Sequence, residues 1–265
     1  MLKIFYCLLI IFIFSACTTS PSKDKERASL KTQLGISHLE NNNLPLALKE
    51  LLAAEELDSA NPITQSNLGL VYFLRKKMDL SIKHYSNALR LYPEFTEAKN
   101  NLARVYIEVK QYIKAEALLS NVLEDLTYTN SPSAYMNYGL MRFQQKRFAD
   151  AKVLFRKVLE TNRENCFAQV YLGRSYLEMG ENQDAVHQLE KATPICLPTK
   201  IDEAHYFSGI AHYRSGLKNK SLLRFQEVIK LFPDGENFQS AKQMVDLIQK
   251  GHDENNWRIT ARSTN

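Results

Sequence analysis

The amino-acid sequence predicts an all-α fold made of six consecutive helix-turn-helix units and a closing helix, and three observations carry that prediction. Composition is the first. Only 9 Gly and 8 Pro occur in 265 residues, 45% hydrophobic and 24% charged, which is the balance of a globular chain too poor in turn residues for a β fold. The second is a period. Small residues at Gly35, Gly69, Ala103, Gly139, Gly173 and Gly209 recur at spacings of 34, 34, 36, 34 and 36, and self-similarity of that length marks a stacked repeat. The third is punctuation: Pro93 and Pro233 close the second and sixth units, since proline cannot continue a helix.

The first unit is preceded by a different kind of sequence. Met1-Leu2-Lys3 gives a positive start, and Ile4 to Phe14 is an apolar run of eleven residues. That is short of the ~20 residues a membrane-spanning helix needs and fits the hydrophobic part of a secretory signal. The run ends in Phe14-Ser15-Ala16-Cys17, which resembles the bacterial lipobox, with Phe14 in place of the usual Leu. The resemblance implies a signal peptide over 1–16 and lipidation of Cys17. Thr18 stands where an Asp would imply inner-membrane retention, so the implied location is the periplasmic face of the outer membrane. Residues 17–27 (CTTSPSKDKER) contain no apolar residue after the cysteine and read as a flexible tether.

Charge and cysteines narrow the class further. Removal of 1–16 takes Lys3 and leaves 33 basic against 29 acidic residues, a net +4 with no Lys/Arg run, which argues against nucleic-acid binding. Cys7 leaves with the signal and Cys17 is the lipid site, so Cys166 and Cys196 remain. The first opens helix A of unit five and the second follows its helix B. An antiparallel pair brings those ends together, so a disulfide Cys166–Cys196 is the expectation, with two separate buried thiols as the alternative.

Within each unit the pattern is Leu-Gly or a similar pair, an aromatic three residues on, and then small and apolar residues at fixed offsets. Leu68-Gly69 leads to Tyr72, Tyr85 and Ala88; Leu172-Gly173 leads to Tyr176, Ala185, Leu189 and Ala192. Six registered copies resemble the tetratricopeptide repeat (TPR) family. The resemblance implies a right-handed superhelix, in which the small residue lets helix A approach helix B and stacking buries what one pair cannot. The implied repeats are 28–61, 62–95, 96–131, 132–165, 166–201 and 202–235, which together cover 28–235. The two longer spacings put extra residues in loops near Tyr128–Pro132 and Pro194–Thr199. An amphipathic segment over 236–251 reads as a capping helix, and 252–265 as a mobile tail.

No motif for catalysis is present. Gly216-Leu-Lys-Asn-Lys-Ser221 lacks the glycines and the strand of a phosphate loop, and no His-Glu-x-x-His pair occurs. His205 and His212 lie two turns apart on one helix and could in principle share a metal, but core or surface histidines are the commoner case. The expectation is therefore a non-enzymatic protein with no cofactor, no metal and no small-molecule substrate. Binding then falls to the inner face of the superhelix. By the family's register that face includes Leu70, Phe73, Asn100, Arg104, Met136, Leu140, Phe143, Arg174, Tyr206, Ile210 and Tyr213, and any of these could instead pack between repeats. Such a lining suits a partner with hydrophobic anchors. Thr32 and Ile36 stand where a Lys/Asn clamp for a C-terminal carboxylate would begin.

Signal, lipobox, tether and six repeats resemble the layout of the type IV pilus pilotin family, as does Arg27…Thr32-Gln33-Leu34-Gly35, which is similar to the family's opening segment. Met136-Asn137-Tyr138-Gly139 is similar to another of its segments but lacks the continuation. The resemblance implies a secretin subunit as partner, held or delivered for assembly at the outer membrane. Two other readings remain open, a scaffold of outer-membrane protein assembly and an adaptor for peptidoglycan hydrolases.

Overall fold

The computed structural model describes residues 21–250. Among them are thirteen α-helices, one 3-10 turn and no strand. The helices are α1 (Pro21–Glu40), α2 (Leu44–Leu57), α3 (Pro62–Leu74), α4 (Met78–Leu91), α5 (Thr96–Glu108), α6 (Tyr112–Glu124), α7 (Ser131–Gln144), α8 (Phe148–Thr161), α9 (Cys166–Glu178), α10 (Asn182–Cys196), α11 (Glu203–Arg214), α12 (Lys218–Leu231) and α13 (Phe238–Gln249). The chain divides into two compact units within α6, at Leu118/Leu119.

One steric rule builds every pair. A Cβ added at Gly35 would lie 2.6 Å from Leu51 Cγ, at Gly69 2.8 Å from the Tyr85 ring, and at Gly173 2.5 Å from Leu189 Cγ. In each case the helix-B residue sixteen positions later occupies the space a side chain would need. The helices are thus held at a separation that only glycine or a very small residue permits. Where the pattern calls for Ala twelve positions after the glycine, the second and sixth repeats carry serine. Ser81 is fully buried and its hydroxyl donates to the Gly69 carbonyl at 2.8 Å, so the polar atom is satisfied inside the seam.

The turns obey a second rule. Seven positions after the small residue, each A–B turn contains a residue in the left-handed region. Asn42, Lys76, Lys110 and Lys146 lie at φ 55, 57, 59 and 61°, and Gly180 and Gly216 at 77 and 76°. Only the last two avoid the Cβ strain of that conformation. Helix starts are set by Asn43, Asn61 and Asn165, whose side-chain oxygens accept backbone N–H groups of the first turn. Pro62 occupies the first helical position of α3, and Pro45 and Pro132 the second of α2 and α7.

In the first unit, Ala47, Leu51, Leu68 and Val71 form one buried cluster and Tyr85, Ala88, Ala98, Leu102 and Val105 another. In the second unit the main core runs from Ala151 and Phe155 through Leu172, Tyr176 and Leu189 to Phe225 and Val228. It is closed by Ala241 and Met244 of α13. Asp202 fixes the approach of that last helix. Its carboxylate accepts the Asn237 backbone N–H at 2.7 Å and the Asn237 amide at 2.9 Å.

Two boundaries differ from the sequence reading. Of the tether expected over 17–27, residues 21–27 are helical, because α1 begins at Pro21, and 17–20 lie outside the described residues. Lys, Glu and Arg are good helix formers despite their polarity, Pro sits at a tolerated first position, and Ala28 is fully buried against the rest of the unit. Pro194 lies inside α10 rather than in a loop. Proline cannot donate to the carbonyl four residues back, at Glu190, but the Thr193 hydroxyl donates to that oxygen at 3.0 Å instead. The helix therefore continues to Cys196. Cys196 is bonded to Cys166 at the start of α9, with Cα atoms 5.0 Å apart. Cys17, the lipidation candidate, and the tail 252–265 lie outside the described residues.

Candidate functional site

The predicted lining residues separate into surface and core. In the first unit, Leu70 and Phe73 of α3 are half-buried against the Tyr85–Leu102 cluster. Arg104 of α5 is exposed, its guanidinium 5.0 Å from the centre of the Phe73 ring. Asn100 is fully buried, so it belongs to the helix packing and not to a binding face. In the second unit, Met136, Leu140, Phe143 and Tyr213 are half-buried on the margin of the core. Tyr206 and Ile210 are only 8% exposed. They belong to the cluster that α13 closes, and Tyr206 stands 5.6 Å from the Phe225 ring. A closing helix removes from solvent what an open repeat would present.

Arg174 organises the surface group of the second unit. Its guanidinium lies 4.2 Å from the Phe207 ring centre, 4.7 Å from Tyr171 and 5.0 Å from Phe143. Phe143 meets Tyr171 edge-on at 5.2 Å. Three rings around one cation hold the arginine in place and leave an aromatic, half-exposed surface around it. Glu203 completes the group at 3.4 Å from Arg174. Burial raises its carboxyl above the usual range, and the Arg174 charge offsets part of that. Tyr171 and Phe207 were not among the predicted residues. Both sit two positions before the repeat glycine, at Gly173 and Gly209, a register signal the sequence does carry.

A second polar group joins helices of the last two repeats. Glu190 of α10 accepts from Arg224 of α12 through both oxygens, at 2.8 and 2.5 Å. It also accepts from the Ser208 hydroxyl at 2.6 Å, with His212 Nε2 at 3.0 Å. Burial opposes ionisation of Glu190, but the hydrogen bonds of Arg224 and Ser208, the Arg224 charge and the His212 contact outweigh it. The carboxyl is held at about 2. His212 is thus occupied by Glu190, while His205 lies 3.9 Å from Glu227, so the two histidines face different acids. No group of three or more possible metal-binding side chains occurs among the described residues. None of their helices is long and apolar enough to cross a membrane.

The acid limb of stability follows from these groups. Glu190 is depressed from 4.5 to about 2, so its contribution is complete above pH 4.5 and is lost as pH falls from there toward 2. With a third of the side chain in water, the loss is on the order of 2 kcal/mol. His84 and His205 are lowered from 6.5 mainly by burial. The unfolded chain therefore takes their protons first, and stability also declines as pH drops below 6.5. Urea midpoints measured from pH 7 to pH 3 should fall throughout. Glu190→Gln should be less stable at pH 7 and should lose the steeper decline below 4.5; an unchanged profile would contradict the assignment.

Comparison with known proteins places this geometry. A tetratricopeptide-repeat profile matches residues 32–94, and a second matches 132–165. The type IV pilus assembly protein PilF of Pseudomonas aeruginosa is 28% identical over 145 residues, which cover 55% of this chain and 57% of that protein. The chain thus spans less than two thirds of that relative's length. The crystal structure of PilW, described as a widely conserved type IV pilus biogenesis factor, superposes with a TM-score of 0.73 at 19% identity. That superposition covers 80% of this chain and 97% of PilW. The structure of P. aeruginosa PilF gives 0.71 at 19% identity over 87% and 100% of the two chains. At that identity the solved structures establish a common fold. The chain is built of tetratricopeptide repeats, similar in sequence to the pilus assembly protein PilF and in fold to both PilF and PilW.

Proposed function

We propose that this protein is a non-enzymatic, lipid-anchored pilotin of the type IV pilus: a TPR protein that binds a secretin subunit and promotes its assembly at the outer membrane. The 28% identity to PilF over 145 residues carries the reading. The half-buried ring and arginine surface around Arg174 supports it, because aromatic side chains ordered before binding lose little entropy on docking and can seat apolar anchors of a partner. Lipidation of Cys17 would keep that surface at the membrane where the pore forms.

The deciding experiment is a deletion strain scored for heat-resistant secretin multimers, complemented with wild type, Cys17→Ser or Arg174→Glu. Loss of multimers with monomers persisting, rescue by wild type and poor rescue by both variants are expected. Normal multimers in the deletion strain would sink the pilotin reading. Multimers restored by Arg174→Glu, with the deletion defective, would remove this surface from the mechanism.

A further inference from the structure

The first helix carries a face that nothing among the described residues of its unit covers. Ala28, Thr32 and Gly35 of α1 are buried toward α2 and α3. On the opposite side Leu30 and Leu34 are 59% and 46% exposed. At 100° per residue, Lys23, Arg27, Leu30 and Leu34 fall within about 60° of one another. The stripe is therefore apolar toward its middle and basic toward the start of the helix. Lys23 and Arg27 are the cations on this stripe, since Lys25 lies on the far side of the helix and Lys31 is paired with Glu50 at 2.9 Å. The Asp24–Arg27 contact at 3.4 Å is exposed and neutralises little in water.

Position says what lies against this stripe. With α1 starting at Pro21, Cys17 is four residues from the helix and at most about 14 Å from it even in extended chain. If the acyl chains are attached there, as the proposed function holds, the body cannot stand far from the bilayer. Leu30 lies roughly 14 Å and Leu34 roughly 20 Å along the helix axis from Pro21. A helix lying along the surface would bring both to the headgroup region, where exposed leucines lose water contact and Lys23 and Arg27 meet anionic lipid.

We infer that the Lys23–Arg27–Leu30–Leu34 face of α1 is a membrane-contact surface, which seats the repeats against anionic phospholipid beside the Cys17 anchor. The anchor supplies a high local concentration of lipid, so a face too weak to bind vesicles alone suffices to set orientation. A protein partner could also cover two leucines, but the basic residues cluster at the anchored end of the helix, where lipid is nearest.

The test uses the full lipidated protein in vesicles of phosphatidylglycerol and phosphatidylethanolamine. In that form Cys17 is acylated, Cys7 is removed with the signal and Cys166 and Cys196 are joined, so an introduced cysteine is the one reactive thiol. A polarity-sensitive fluorophore is attached at Leu34→Cys or, as the distant control, at exposed Val153→Cys on α8. Headgroup-labelled quencher lipid should reduce the emission at 34 several-fold more than at 153, and Lys23→Glu/Arg27→Glu should shrink that difference. Flotation with the vesicles but equal quenching at both sites overturns the contact surface and leaves the anchor standing. Failure to float overturns the anchor, and the membrane contact falls with it.

Discussion

Gly139→Val should destabilise the second unit by about 3 kcal/mol and Gly139→Ala by about 1–2 kcal/mol. The sign is not obvious, because replacing a helical glycine by alanine ordinarily gains up to about 1 kcal/mol of helix propensity. Packing decides otherwise here. A Cβ at position 139 would lie 2.6 Å from Phe155 Cε1 and 2.9 Å from Cδ1, and the Phe155 ring is fully buried. A ring moves as one rigid body, so relief requires α7 and α8 to separate, and that strain exceeds the propensity gain. The third repeat carries Ala103 with Leu119 in the same register, so the seam can accept an alanine opposite a leucine that turns its branch aside, although Leu51 and Leu189 lie 2.6 and 2.5 Å from a Cβ at Gly35 and Gly173. Phe155→Leu alone should cost about 1 kcal/mol, while Gly139→Ala/Phe155→Leu should be less unstable than the sum of the two singles by about 1 kcal/mol. Urea unfolding of the four proteins closes the cycle. Additivity would show that the glycine is not set by the ring.

That seam is also why so much of the fold was legible. A small residue every 34–36 positions is a direct image of a steric limit repeated six times, and the matching large residue sixteen positions later completes it. The expectations that failed had no such periodic cause. Residues 21–27 look like a linker because they are polar, yet Lys, Glu and Arg favour helix once Ala28 is packed. Pro194 looks like a stop, and only the Thr193 hydroxyl on the Glu190 carbonyl lets the helix pass it. The Glu190–Arg224 pair spans 34 residues, and the Ser208 hydroxyl reaches the same carboxylate across 18. No local pattern reports it. Of the predicted binding residues, Arg104 and Arg174 sit beside rings at the surface, whereas Asn100, Tyr206 and Ile210 are core. Register identifies the helix face, but a neighbouring helix determines how much of it water reaches.

Breaking the Cys166–Cys196 bond should cost about 3–4 kcal/mol. The separation of 30 residues sets the entropy the bond removes from the unfolded chain. Little of that is returned as strain in the folded state. Cys166 opens α9 and Cys196 closes α10, and these helices pack along their length with Leu189 against Gly173. The two Cα atoms are therefore held 5.0 Å apart by repeat packing, within the range disulfides adopt. Val170, Ala192 and Ala204 are fully buried around the pair, so reduction leaves two thiols in an apolar site that tolerates them. Cys166→Ser/Cys196→Ser instead places two hydroxyls there and should be slightly less stable than the reduced wild type. The comparison is made by urea unfolding of oxidised protein, protein treated with a phosphine reductant, and the double variant. The oxidised form should be well separated from the other two, and those should lie close together. Coincidence of all three curves would contradict this account, since the bond would then remove no entropy from the unfolded chain.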